Sequence, residues 1–190
     1  MSLKPRSAKD RILDAANRLF YREGIRAVSV DKIAEKAGIT KKTLYYHFRS
    51  KDDLIEAYLA SRDQPNLALF KKWFDEASGG LEDKVEAIFL NLARSARHPK
   101  WNGCGFLRTA AELANMPGHP AMTVGSAHKK KFEAWLSAAL ADRETPNPEE
   151  TARHVVLLMD GAFSTMLIHR DPAYIEAAGR ASRALVATAS

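Results

Sequence analysis

Apolar residues return every three or four positions along most of the chain, and the first clear stripe is Ile12, Leu13, Ala16, Leu19 and Phe20. That spacing predicts an amphipathic helix from about Ser7 to Glu23, stopped by Gly24. Ser29 can then cap a helix that holds Val30, Ile33, Ala34 and Ala37 inward, with Asp31 in the first turn, where the helix dipole favours an acid. Gly38 ends it. Thr40 can cap a short third helix whose inward residues are Leu44 and Phe48, and Ser50 with Asp53 resembles the capping box of a fourth. Three caps so close together predict three tightly joined helices.

Downstream the period stays helical. Val85, Ile88, Phe89 and Leu92 form one apolar face, and Phe106, Leu107, Ala110, Ala111 and Leu113 form another, separated by the loop His98 to Gly105. Pro117, Gly118 and Pro120 mark the next boundary. Further helices are predicted around His119 to Asp142, Pro148 to His169 and Pro172 to Ala187. With no sustained period of two and no internal repeat, the predicted fold class is all-α.

Charge adds an asymmetry to this picture. Residues 1–60 carry 13 Lys and Arg against 8 Asp and Glu, whereas residues 61–190 carry 16 against 15. The first third of the chain is therefore expected to meet an anionic partner. Residues 1–6 are read as a flexible start outside the fold, and Met1 to Arg11 lacks the apolar core of a signal peptide. Apolar runs never reach the eighteen or more residues of a membrane helix, so no membrane association and a cytoplasmic location are expected. Cys104 is the single cysteine, which excludes an intramolecular disulfide and a cysteine-based zinc cluster within one chain.

The segment from Val28 to Leu54 carries the most specific chemistry. A helix, a glycine turn and a short second helix form the geometry of a DNA-reading helix-turn-helix. At 100° per residue, Lys42 and Tyr46 point away from the inward Leu44 and Phe48, and Thr43 and Tyr45 flank them. Lys and Tyr donate to phosphate oxygens, and Thr can donate, accept or set its methyl against thymine. Thr40 at one helix N-terminus, and Ser50 with Lys51 at the next, add backbone amides suited to anions.

Ile33-Ala34, Ala37-Gly38-Ile39-Thr40, Leu44-Tyr45-Tyr46-His47-Phe48 and Ser50-Lys51 through Leu54 resemble, nearly position for position, the DNA-binding signature of the TetR/AcrR family of bacterial transcriptional regulators. The likeness covers the first quarter to third of the chain; the remainder is similar to the family in length and helix order. It implies that Thr40, Lys41, Lys42 and Thr43 open the recognition helix, that Tyr45, Tyr46 and His47 touch backbone or bases, and that Ser29 and Lys51 meet phosphates. Each has an alternative in capping, packing or plain exposure, and Lys41 is the worst aimed by wheel position. Arg22 and Arg26 read as surface charges. The implied organisation is a helix-turn-helix DNA-binding domain over residues 1–50 and a helical ligand-binding and dimerisation domain over residues 51–190. The implied activity is repression from an inverted-repeat operator, bound as a homodimer and released by a small-molecule effector, with no cofactor or metal.

Two features of the later helices bear on that implication. Val155 to Met159 and Ala162 to Ile168 are apolar on most sides, and the last helix repeats small residues beside Tyr174, Ile175, Leu185 and Val186. Val155, Met159, Phe163, Met166, Tyr174, Ala178 and Leu185 are the candidates for a dimer interface, against the alternative of an internal core helix. Trp73, Phe89, Cys104, Phe106, Met122, His128, Phe132 and Phe163 are candidates for lining a ligand pocket, although such residues at helical spacing also make ordinary core. Glu112 and His128 could supply a polar contact there, or serve as hydrogen-bonded structural groups. An enzyme is disfavoured, since the chain has no GxSxG, HExxH or GxxxxGK[ST] motif. A helical protein-interaction module and a regulator without a ligand remain as alternatives; the former would show apolar anchors where Lys42, Thr43 and Tyr46 stand.

Overall fold

A computed structural model of the protein describes residues 7–142 and 145–188; the first six residues, set aside in the sequence reading, lie outside them. Helices alone form the regular structure of the described residues, in the order α1 (Ala8–Glu23), α2 (Val30–Ala37), α3 (Lys41–His47), α4 (Lys51–Asp75), α5 (Leu81–Ala96), α6 (Gly105–Glu112), α7 (Pro120–Ala141), α8 (Pro148–His169) and α9 (Ala173–Thr188). The fold is all-α, as the periodicity predicts. The chain packs as two compact units, one comprising the chain up to Arg62 with Gly105–Gly125, the other Asp63–Cys104 with Ser126–Ser190.

In the first unit, α1 supplies the floor. Its capping box closes between Ser7 and Asp10, with the Ser7 hydroxyl accepting from the Asp10 amide at 3.1 Å. Ile12, Ala16, Leu19 and Phe20 are buried along one face, and α2 and α3 both pack on α1. Phe20 meets Tyr58 of α4 edge-on, with ring centroids 5.5 Å apart. The link between α1 and α2 is held by α6. The Glu112 carboxylate accepts from the amides of Ile25 and Arg26 at 3.2 and 2.9 Å, and Arg26 donates to Asn115 at 2.8 Å. Gly24 has a φ of +88°, and a Cβ there would lie 2.8 Å from a Glu112 carboxylate oxygen, so a bare backbone is needed on both counts. This geometry corrects the wheel predicted for α6. Phe106, Thr109 and Leu113 are buried and Ala111 is exposed, because the two-turn helix is rotated to aim Glu112 at the α1–α2 link.

In the second unit, α9 packs on α5 and α8. The helices approach closely at Gly179, where a Cβ would stand 2.7 Å from Cβ of Phe89, a fully buried residue of α5. Phe70, Trp73, Phe74, Phe132 and Trp135 form a connected aromatic cluster between the second part of α4 and α7, with centroids 5.3 to 5.8 Å apart. Beside it lies a buried polar group: Asp63 accepts from Nδ1 of His128 at 2.8 Å and from Lys131. Burial would raise the Asp63 carboxyl, but the bonds from Lys131 and His128 outweigh it and hold it below the usual carboxylate range. Burial also pushes the His128 imidazole down, more than Asp63 raises it, and the neighbouring Lys129 and Lys131 push in the same direction.

Two measurements check this packing. Gly179→Ala should lower the unfolding free energy by about 1–3 kcal/mol in urea titrations, because the added methyl meets the backbone-fixed Cβ of Phe89. Elsewhere on a helix the same change stabilises by about 0.5–1 kcal/mol, so a gain would show that α5 and α9 are not in contact there. His128 stays neutral in the fold where the unfolded chain protonates, so stability should fall as pH drops through the ordinary histidine value of about 6.5. The depressed Asp63 adds its loss only further down, below about pH 4. His128→Gln should therefore lose less stability than the parent between pH 7.5 and 5.5; equal losses would show that His128 is not the group responsible.

Candidate nucleic-acid interface

The α2–turn–α3 segment is shaped by its caps. Ser29 accepts the Lys32 amide at 3.1 Å and Thr40 accepts the Thr43 amide at 3.1 Å. Between them Gly38 adopts a left-handed conformation, φ 63° and ψ 44°, and its amide reaches the carbonyls of Ala34 and Glu35. The turn is thereby short enough to set α3 across α2. Leu44 is fully buried and Phe48 nearly so, which fixes the rotation of α3 about its axis. The opposite face carries Lys42 and Tyr46, with Tyr46 85% exposed and Tyr45 44%.

Each sequence-predicted contact residue has a definite place. Ser29, Thr40, Lys41, Lys42, Tyr45 and Tyr46 are exposed, whereas Thr43, His47 and Lys51 are half-buried. The hydroxyls of Thr40 and Thr43 are hydrogen-bonded at 2.9 Å, and the His47 ring lies edge-on to Tyr46 with centroids 5.1 Å apart. Lys41 is exposed but engaged: its ammonium donates to Asp31 of α2 at 3.0 Å, which raises its pKa. Lys51 opens α4, where burial lowers its pKa against the opposing pull of Asp52 and Glu112. Arg49, exposed just beyond α3, pairs with Asp53 at 3.4 Å.

The remaining candidates divide between the units. Phe106, Glu112 and Met122 belong to the first, where Phe106 is buried and Glu112 is engaged with the α1–α2 link. Trp73, Phe89, Cys104, His128, Phe132 and Phe163 belong to the second. Trp73 and Phe132 share the aromatic cluster through Phe70, Phe163 stacks on Trp101 at 6.2 Å, Phe89 lies under Gly179, and Cys104 is half-buried in a loop. On α8, Val155, Met159, Phe163 and Met166 point into their own subunit and are at most 4% exposed; Ala178 of α9 is also buried. Tyr174 and Leu185 border an open apolar groove between α8 and α9, together with Leu157, Leu158, Ala177 and Ala181. Leu157 falls in the stretch that is apolar on most sides but is not among the named interface candidates, because its 63% exposure depends on which side of the helix the rest of the fold covers.

Comparison with known proteins agrees with this geometry. Residues 12–58 match the family described as bacterial regulatory proteins, tetR family. Among curated proteins, the uncharacterized HTH-type transcriptional regulator TtgW of Pseudomonas putida is 40% identical over 95 residues, 50% of this chain and 67% of its own length. The HTH-type transcriptional repressor KstR2 of Mycolicibacterium smegmatis is 28% identical over 133 residues, 70% of this chain and 63% of its own length. Nearly the whole chain superposes on the crystal structure of a TetR-family transcriptional regulator from Streptomyces coelicolor, with a TM-score of 0.82, 31% identity and 96% of each chain covered. Because that likeness runs through the helices beyond the matched head as well as through the head itself, the chain belongs to the TetR family of bacterial HTH-type transcriptional regulators.

Proposed function

We propose that the protein is a repressor that binds an inverted-repeat operator as a homodimer and leaves it when a small-molecule effector binds. The observation that carries the DNA-reading part is the face of α3: Lys42 and Tyr46 stand free of the fold while Leu44 and Phe48 are sunk into it, so the contact groups are presented on a rigid rather than a mobile element. In this reading Lys42, Thr43, Tyr45, Tyr46 and His47 enter or border the major groove, and Thr40 and Ser29 leave helix N-terminal amides facing phosphates. Lys51 adds a cation whose burial a phosphate would offset. Residues 1–50 form the reading domain and residues 51–190 the effector and dimerisation domain. The repressor assignment is supported by KstR2, which is itself named a repressor.

The groove between α8 and α9 supports the dimer. Leu157 on its wall is 63% exposed and Tyr174 at its border 41%, so the groove presents a contiguous apolar surface rather than scattered single residues. A twofold pairing of this face would set two copies of α3 one turn of DNA apart or a multiple of it. The aromatic cluster around Phe132 and the adjoining His128–Asp63 pair offer the effector an apolar wall with a polar anchor.

Selection of bound sequences from random duplex DNA should enrich an inverted repeat. Lys42→Ala/Tyr46→Ala should bind the winner at least about tenfold more weakly, and Lys51→Ala should weaken all duplexes alike while reducing the salt slope by about one. Absence of any enrichment would overturn the DNA-reading assignment. Leu157→Glu should convert the protein to monomers in sedimentation experiments and abolish preference for the paired half-sites. A dimer that survives this change would place the interface elsewhere.

A further inference from the structure

Asp31 and Lys41 stand at the second position of α2 and the first position of α3, two residues after one exposed cap, Ser29, and one after the other, Thr40. Their side chains are 68% and 52% exposed and joined at 3.0 Å. An acid at this place is unexpected on a face that approaches a polyanion. Its benefit to the α2 dipole could be supplied by any first-turn acid, whereas its bond to Lys41 ties the N-termini of the two helices together.

We propose that Asp31 is a specificity-determining residue of the reading head, acting in two ways that both rest on the DNA-binding assignment above. It occupies Lys41, so this cation does not serve as a phosphate contact on arbitrary sequence. A lysine held by a carboxylate must give up that bond before it neutralises a phosphate, and the vacated carboxylate is then left facing the DNA charge. Asp31 also presents an acceptor with no donor of its own. A carboxylate repels phosphates and the acceptor edges of guanine and thymine, and it is satisfied in the major groove by an exocyclic amino group, N4 of cytosine or N6 of adenine. With Lys41 beside it as a donor, the pair accepts a base pair offering one amino group and one acceptor in the right order and opposes the reverse.

The sequence alone gave Asp31 only the role of a favourable first-turn acid. What adds the second role is the α2–α3 crossing, which brings residues ten positions apart into contact. Lys32, the next cation on α2, is engaged elsewhere, with Glu23 of α1 at 2.5 Å, so Asp31 has Lys41 to itself among the bonds of this face.

The test uses the full chain, Asp31→Asn, Lys41→Met and the double variant, each checked by thermal melting to be folded. Binding to random-sequence duplex and to the selected operator is followed against salt. Asp31→Asn should bind random duplex about two- to fivefold more tightly, the range expected for releasing an exposed ion pair, and should steepen the salt slope by about one. Repeated selection with Asp31→Asn should lose information at one position of each half-site, at which the parent requires cytosine or adenine on the strand facing Asp31. In the Lys41→Met background the Asp31→Asn gain on random duplex should shrink, because only the direct repulsion between the carboxylate and phosphate is then relieved. An unchanged slope and an unchanged selected sequence in Asp31→Asn, with the parent still enriching an operator, would overturn this proposal alone. An equal gain in both backgrounds would also overturn it, since Asp31 would then act only as a nearby negative charge. A parent that enriches no sequence would remove the DNA-reading assignment and this proposal with it.

Discussion

Seven residues cannot hold a helix in water on their own, because nucleation fixes several residues for the first hydrogen bond and so short a helix has few more to gain. α3 is seven residues long, so its existence depends on the burial of Leu44 and Phe48 against the first unit. Burying two such side chains contributes about 1.5–3 kcal/mol each, and the Thr40 cap about 1 kcal/mol more. The same burial decides what faces outward: with Leu44 at zero exposure, Lys42 and Tyr46 have no side of the helix left but the solvent side. Stability and recognition here are two faces of one rotation angle.

That angle in turn rests on α1. Ile12, Ala16, Leu19 and Phe20 form the surface on which α2 and α3 sit, and the left-handed Gly38 sets how sharply the chain turns between them. A residue with a Cβ at Gly38 would find room but would carry the strain of the left-handed conformation, about 1–2 kcal/mol, in the turn that sets α3. The long run of family-like residues from Ile33 to Leu54 is therefore a packing specification as much as a DNA-contact specification. Ile33, Ala34, Ala37, Leu44, Phe48 and Leu54 are all buried, and they alternate with the residues that stand free.

The sequence made this part legible because its signals are local. Ser29, Thr40 and Ser50 cap where their positions predict, and α8 begins at Pro148 and ends at His169 as its periodicity indicates. What it hid depends on how helices cross. Val155, Met159 and Met166 and the exposed Leu157 lie on one helix that is apolar on most sides, so the wheel alone does not distinguish the side that the rest of the fold covers from the side left open. The rotation of α6 was lost for the same reason: Ala111 and Thr109 are each consistent with either face until Glu112 is seen to reach the α1–α2 link. Asp31 illustrates the third kind of loss, in which a residue with one evident local role gains another from a contact ten positions away.

Glu112 also sets an energetic scale for the effector release proposed above. Its carboxylate satisfies the amide of Ile25, a residue only 2% exposed, so withdrawing it leaves a buried donor unpaired at a cost of about 1–3 kcal/mol. α6 packs in the same unit as the reading head, and Arg108 adds a bond to the carbonyl of Tyr21 at the end of α1. A ligand that displaced α6 would have to prefer the displaced conformation by at least this amount, because a ligand indifferent to the two shifts nothing however tightly it binds. If α6 instead kept its bonds, the α1–α2 link would travel with it as one body, and the same ligand could turn the reading head without breaking any of them. The second course is the less costly, because it leaves the amides of Ile25 and Arg26 paired with Glu112.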